Sequence, residues 1–544
     1  MALGLCVAER KMRLGGWSPW CYRGQRGQRG KSPIYAVFGA NQTKSNMQLR
    51  NSVVISPLER RRRPKARESW HANLMAVVGS ERARFAVLVG FILLVALTGG
   101  SSRPDIPSLV VLRPASVMFC FYALCAATLC QLRMARAPLL VVLALMLLAI
   151  LQLVPLPAAW WTGLAKRDLV AEASRLLGME QAGRPLSLDP NRTWNTFFAL
   201  FVPLATIGLA ALQAPVKQSL IVPTLMTLGL LNVVLGFLQA VGGNGLHLYA
   251  ITHSDFPVGL FANRNHQAVM LLWLMLAVGW FAATASSNRI SAGMAIGGAL
   301  AAIFVLFPLL VLTGSRTGLA LSPIALLLSG WLMFRSPATK ALLRRAGKRA
   351  GLLLGGAVAC LATPLLLVIV VLATSERQSA LSRLFELDAA DDLRWRYMPA
   401  LLRMMWEFMP LGSGFGSFES VVRMFEPGSL LAPRYMNQAH NDFLQVAIEG
   451  GLPALAVFVV GLIWYWRCCW RLWRSGEPRG QTHAVFFVGS LLLWLAASTV
   501  DYPLRTPLAM MLVAALTAQL SFLSTTAYSR RGAPGKQAAR SDAS

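Results

Sequence analysis

Long apolar runs separated by short polar connections dominate this chain from about residue 85 to residue 525. Leu139 to Val154, Leu352 to Ala373 and Ala484 to Val500 are typical. Each approaches the roughly 20 residues that a helix needs to cross about 30 Å of hydrocarbon. The pattern predicts twelve spans, at 85–100, 110–131, 137–155, 193–212, 219–241, 266–284, 292–313, 317–334, 351–373, 452–466, 484–500 and 508–524. The expected fold is therefore an all-α polytopic membrane bundle with both termini on one side. A loop at 374–451, far beyond ordinary connection length, marks the opposite side as functional.

Composition agrees, with 55% apolar and 14% charged residues and a mean hydropathy of +0.53. Lysine and arginine set the orientation. Even-numbered connections carry Arg133 and Arg136; Lys217; Arg289; Arg335, Lys340, Arg344, Arg345, Lys348 and Arg349; then Arg467, Arg471, Arg474 and Arg479. These connections and the tail 529–544 are assigned to the cytoplasm, and the loop 374–451 to the outside. The net charge of +29 then reflects positive-inside signal plus a basic arm facing an anionic leaflet. Nucleic-acid binding is not needed to explain it. Residues 1–80, with the run Arg60 to Arg63 and no apolar periodicity, are expected to be a disordered cytoplasmic extension, with Met75 an alternative start. Residues 81–528 form the membrane domain. None of the eight cysteines falls in an expected external loop, and no metal-ligand spacing occurs.

Four external segments carry polar groups out of place in a membrane protein. The first, 156–192, ends Leu186-Ser187-Leu188-Asp189-Pro190. The second, Phe261 to His266, includes Asn263, Arg264 and His266. The third is the hairpin Gly314-Ser315-Arg316-Thr317-Gly318, which puts Arg316 near a helix N-terminus. A cation there opposes the helix dipole unless an anion answers it, so Arg316 reads either as a phosphate site or as an arginine snorkelling to headgroups. The fourth, the long loop, holds seven arginines, among them Arg394 and Arg396, and an expected amphipathic surface helix from Trp395 to Phe408.

Gly412, Gly414 and Gly416 follow that helix. They do not follow a strand, which excludes a dinucleotide-binding loop and leaves a backbone turn approaching a ligand or a tight turn. His440 then opens a short helix with Asp442 two residues on. An imidazole there can take a proton from a hydroxyl, or it can simply be structural.

Six motifs in order resemble the O-antigen ligase and polymerase superfamily of bacterial inner-membrane glycosyltransferases. They are Leu186 to Pro190, Gly259 to His266, Gly314 to Gly318, Arg394 through Phe418, Ala439 to Asp442 with Gly450, and Asp501 to Leu504. The resemblance implies a polyprenyl-diphosphate-linked glycan donor used on the periplasmic face, with no cofactor and no metal. The acceptor hydroxyl would belong to a glycan, the lipid A core or a protein. In that frame His440, Arg316 and Arg394 are the expected catalytic residues, with His440 acting on the acceptor hydroxyl and the arginines clamping the diphosphate. Arg264, His266, Arg396, Asp442, Asn263, Gly412 and Gly414 are the expected substrate-binding residues. Inversion at the anomeric carbon is expected. One departure from the family pattern, methionine at 398 where many members have tryptophan, leaves Arg394 and Arg396 as alternatives for one role.

A membrane transporter or lipid-linked-glycan flippase is the rival class. Transporters place ionisable residues at the midplane and show internal repeats, whereas these spans are nearly free of charge and show no repeat. The assigned orientation has a direct check. An alkaline phosphatase fused after Ser420 should be active and one fused after Ala346 inactive; the reverse pattern would invert the topology.

Overall fold

The computed structural model describes residues 80–242, 244–285, 291–349, a few positions between 351 and 359, 389–430 and 436–531. All of them lie in one compact unit, Met75–Ser544. The helices that build the bundle and its outer end, shorter ones aside, are α1 (Glu81–Thr98), α2 (Leu109–Ala126), α3 (Arg136–Leu153), α4 (Pro190–Ala199), α5 (Phe201–Ala211), α6 (Ile221–Gly242) and α7 (Arg264–Thr284). They continue as α8 (Ala292–Leu312), α9 (Arg316–Arg335), α10 (Ala389–Phe408), α11 (Asp442–Trp473), α12 (Pro478–Ser498) and α13 (Pro507–Arg531). Among the described residues, strands are confined to a two-residue pair, β1 (Pro155–Leu156) and β2 (Arg184–Pro185), that closes the first external loop.

Among the described residues, ten helical stretches are long and apolar enough to cross a membrane. α4 and α5 run on through Leu200 and together make one of the ten. Ten of the twelve expected spans thus coincide with such a stretch. The first expected span is α1, which carries Glu81, Arg82 and Arg84 in its opening turn and is not among the ten. The span expected at 351–373 lies largely outside the described residues. The fold is an all-α polytopic bundle.

Within lipid, burying apolar surface does not drive helices together, so close packing of small residues must do it. α7 is the hub: 83% of its spanning window is buried, the largest share among the ten. α9 runs parallel to it. A Cβ on Gly318 would lie 2.6 Å from Ala268 Cβ, and one on Gly279 would lie 2.8 Å from Ser329 Cα. Those two close approaches, eleven residues apart on both helices, bring the N-termini of α7 and α9 to the same end of the bundle. The polar residues that interrupt the apolar pattern at that end act as helix caps. Asp189, Asn263, Ser315 and Asn441 each accept a backbone N–H from the helix they precede.

The described part of the long loop has its own core. Tyr397, Leu401, Met404 and Phe408 of α10 pack on Phe418, Val421, Leu444 and Ile448. Trp395, Leu402 and Trp406 face outward, the amphipathic pattern expected from the sequence. α11 is two helices joined at a break. Gly451 sits at φ 60° and ψ −157°, a region open in practice to glycine alone, and Pro453 follows. A Cβ there would lie 2.2 Å from the Pro410 carbonyl oxygen. The break turns Asp442–Gly450 away from the rest of α11.

Gly451→Ala should therefore lower the thermal unfolding midpoint in detergent, by the equivalent of about 1–3 kcal/mol. An unchanged midpoint would mean the break is not locked by this glycine.

Candidate active site

The first turn of α7 and the turn Asp501–Arg505 between α12 and α13 meet at one carboxylate. Asn265 Nδ2 donates to Asp501 Oδ2 at 2.7 Å, and the Tyr502 backbone N–H donates to Oδ1 at 2.9 Å. Two imidazoles approach Oδ1, with His440 Nδ1 at 3.4 Å and His266 Nε2 at 4.0 Å. The Tyr502 ring stands edge-on to both histidines, at 4.9 Å from His440 and 5.3 Å from His266. Asp501 side-chain exposure is 2%. His440 is 22% exposed, so its ring reaches from the buried carboxylate toward the surface.

His440 owes that position to its backbone. Its φ is +49°, a left-handed value rare outside glycine, immediately before Asn441 caps α11. Asn441 also donates through Nδ2 to the Thr499 carbonyl at 2.9 Å, tying the start of α11 to the end of α12. The partners of the Asp442 carboxylate are different from those of His440. That carboxylate instead accepts from Ser498 Oγ at 2.9 Å and the Leu504 backbone N–H at 3.3 Å. Arg505 Nε lies 3.6 Å from Asp442 Oδ1, and its Nη2 donates to Glu449 Oε2 at 3.1 Å. Asp442 thus belongs to a second polar cluster with Arg505 and Glu449. Asp501, not singled out from sequence as a site residue, is the carboxylate beside His440.

On its other side the same turn of α7 carries Arg264. Its guanidinium lies over the Phe256 ring at 4.3 Å. A Cβ on Gly314 would come within 2.9 Å of that ring and 3.5 Å of Arg264 Nη1. The Gly314 hairpin therefore presses against Arg264, and Arg316 opens α9 two residues later. The positive ends of two parallel helix dipoles and the guanidinium-bearing residues Arg264 and Arg316 thus share one end of the bundle. His266 is 1% exposed, enclosed by Phe261 and Tyr502, and its ring nitrogens have no hydrogen-bond partner among the described residues. Asn263 caps α7 through Asn265 N–H at 2.8 Å.

Gly412 and Gly414 face protein rather than an open cleft. A Cβ on Gly412 would lie 2.5 Å from the Glu449 carbonyl oxygen, and one on Gly414 would lie 2.4 Å from Ser187 Oγ. The segment joins the α11 break to the first external loop. Gly414 N–H and Gln152 Nε2 both donate to the Glu449 carbonyl, and Leu188 N–H donates to the Ser413 carbonyl. Arg396 lies on the exposed side of α10. Arg394 lies in the same helix, and its side chain is outside the described residues. Among the described residues, no group of three or more His, Cys, Asp or Glu is placed to hold a metal ion.

The arrangement offers two chemistries side by side. A largely buried imidazole that still reaches the surface, backed by a buried carboxylate, can manage a proton, and the helix mouths with their guanidiniums can hold an anion.

The second cluster has a cost if opened. Arg505→Ala would leave two buried carboxylates without their cation, a loss of about 3 kcal/mol. A fall in the thermal midpoint is expected; an unchanged midpoint would show that Arg505 is dispensable to the fold.

Residues 299–459 match the family model described as O-antigen ligase. The matched stretch contains the Gly314 hairpin, the long loop, His440 and the α11 break. It does not contain Arg264, His266 or Asp501. No curated protein matches the chain.

Proposed function

We propose, from the match of residues 299–459 to the O-antigen ligase family model, that the chain is a glycosyltransferase of the O-antigen ligase/polymerase type that transfers a glycan from a polyprenyl diphosphate to an acceptor hydroxyl. The reaction is assigned to the periplasmic face of a bacterial inner membrane, the side toward which the positive-inside pattern turns the long loop.

The bond that breaks joins the anomeric carbon to a diphosphate oxygen. Negative charge develops on the leaving diphosphate, so catalysis requires fixed positive charge where it appears. Arg316 at the mouth of α9 and Arg264 at the mouth of α7 supply it, aided by both helix dipoles. Arg394 and Arg396 on α10 bring further guanidiniums from the loop, which suit phosphate oxygens through their forked donors. At the other side of the site, Asp501 lies 3.4 Å from His440 Nδ1 and favours the tautomer protonated on that nitrogen. Nε2 is then left to accept the proton of the acceptor hydroxyl as its oxygen bonds to the anomeric carbon. One displacement in a single step inverts that carbon.

Asp442 and Glu449 position the start of α11 through Arg505 rather than acting on His440. Asn263 and His266 shape the walls by capping and packing, and Gly412 and Gly414 lock the α11 break by close backbone approach.

The observation that carries the reading is the shared first turn of α7. It places Arg264 against the Arg316 hairpin and Asn265 on the carboxylate that backs His440.

The test is transfer by the purified protein in nanodiscs, using the carrier-linked glycan and lipid fraction of its own cells. Wild type should extend or cap an acceptor. His440→Ala should lower the rate by about 10²–10⁴-fold and Arg316→Ala by about 10²–10³-fold, with the fold intact. Transfer undiminished in His440→Ala contradicts the mechanism. Movement of glycolipid by wild type with no new glycosidic bond contradicts the function.

A further inference from the structure

The helix of the long loop is apolar on two opposite sides. The buried side of α10, Tyr397, Leu401, Met404 and Phe408, packs on the core of the loop. Across from it Trp395, Pro399, Leu402 and Trp406 are exposed, the two tryptophans by 73% and 72%. At about 3.6 residues per turn these four positions form one stripe along the helix. The partly buried Met398, Met405 and Met409 widen the stripe on one flank, and the exposed Arg396 and Arg403 edge it on the other. Glu407, the acid beyond the arginines, is taken by Lys166 of the first external loop at 3.3 Å. A helix whose outer face looked into water would carry polar residues there. An apolar outer face bearing two indoles needs a cover.

The place where the stripe ends says what the cover is. The carbonyl of Pro410, two residues beyond α10, accepts the Leu452 N–H at 2.8 Å. Leu452 is the first residue after the Gly451 break, where the spanning half of α11 begins. Leu411 and Leu452 are both exposed, and the exposed row continues along α11 through Val459, Val460 and Ile463. On a membrane-spanning helix an exposed apolar row is the surface that meets lipid. The end of α10 is thus fastened to the outer end of a lipid-facing helix, and its own apolar stripe leads into that helix's exposed row. Tryptophan is enriched at this level of a bilayer, where its ring meets acyl chains and its N–H the headgroups. The charge agrees, since guanidiniums flanking an apolar stripe suit the phosphates of a lipid surface.

We infer that the exposed stripe of α10 docks on the outer leaflet of the membrane, with Trp395, Leu402 and Trp406 at the boundary between headgroups and acyl chains and Arg403 among the phospholipid phosphates. The long loop then lies along the bilayer rather than standing away from it. Arg396, on the same flank, is held at headgroup height. The docking follows from the stripe and its continuity with α11, and it holds whether or not the chain transfers a glycan.

The test uses the full-length protein in nanodiscs of phosphatidylethanolamine and phosphatidylglycerol, with or without bromine on the acyl chains near the headgroups. Subtracting the fluorescence of the double variant Trp395→Phe/Trp406→Phe from that of wild type isolates the two indoles. Both positions are exposed, so the variant leaves the core of the loop intact. The difference emission should be largely lost in the brominated bilayer and little affected by acrylamide added to the water. Strong quenching by acrylamide would show that the stripe faces water and would overturn the proposal. Emission resistant to both quenchers would show that protein covers the stripe, either a second copy or another segment of this chain, and would overturn it equally.

Discussion

A single buried carboxylate organises this end of the bundle. Asp501 is 2% exposed, and it is reached from three directions: by the Asn265 amide of α7, by the backbone of its own turn, and by the imidazoles of His440 and His266. A carboxylate taken out of water must be compensated, here by the Asn265 amide and the Tyr502 N–H that donate to it with the two imidazoles close by, so its neighbours are constrained to arrive together. The first turn of α7, the turn before α13 and the chain leading into α11 are thereby held in one relation. Arg264 and the Arg316 hairpin inherit their placement from the same turn of α7.

A second constraint comes from the bilayer. Spanning helices satisfy their own backbone groups, and irregular backbone is tolerated only where protein takes over. α11 breaks at Gly451, and the carbonyl of Glu449 exposed by the break is taken by Gln152 Nε2 and Gly414 N–H. The glycine run of the long loop is therefore the splice that makes the break affordable. It also anchors α4 and the first external loop, since Thr193 Oγ1 donates to the Phe415 carbonyl at 2.7 Å.

The spans were legible because a membrane helix announces itself by local apolar content, and ten of the expected twelve coincide with helical stretches of that kind. The ends of those helices are legible in part: residues 189, 263, 315 and 441 lie in four of the polar motifs, Asn263 as an expected substrate-binding residue, and each is a helix cap. Asp442 was associated with His440 through sequence proximity. In the structure Asp442 is held by Ser498, Leu504 and Arg505 while Asp501 lies beside His440, and nothing local in the sequence signals the positive φ at that histidine. Asp501 sits in a short turn about sixty residues downstream, and only tertiary packing brings it to His440. The glycines at 412 and 414 suggested a ligand because close backbone approach has the same sequence signature whether the neighbour is a phosphate or another loop.

The central claim is that His440 and Asp501 act as one unit in proton transfer. A double-mutant cycle of His440→Gln and Asp501→Asn, read as the rate of glycan transfer at saturating donor, tests it most directly. Residues that work as a unit are non-additive, so the double variant should be no more than about twofold slower than His440→Gln alone. Losses that multiply across the cycle would show the two residues acting independently and would contradict the account.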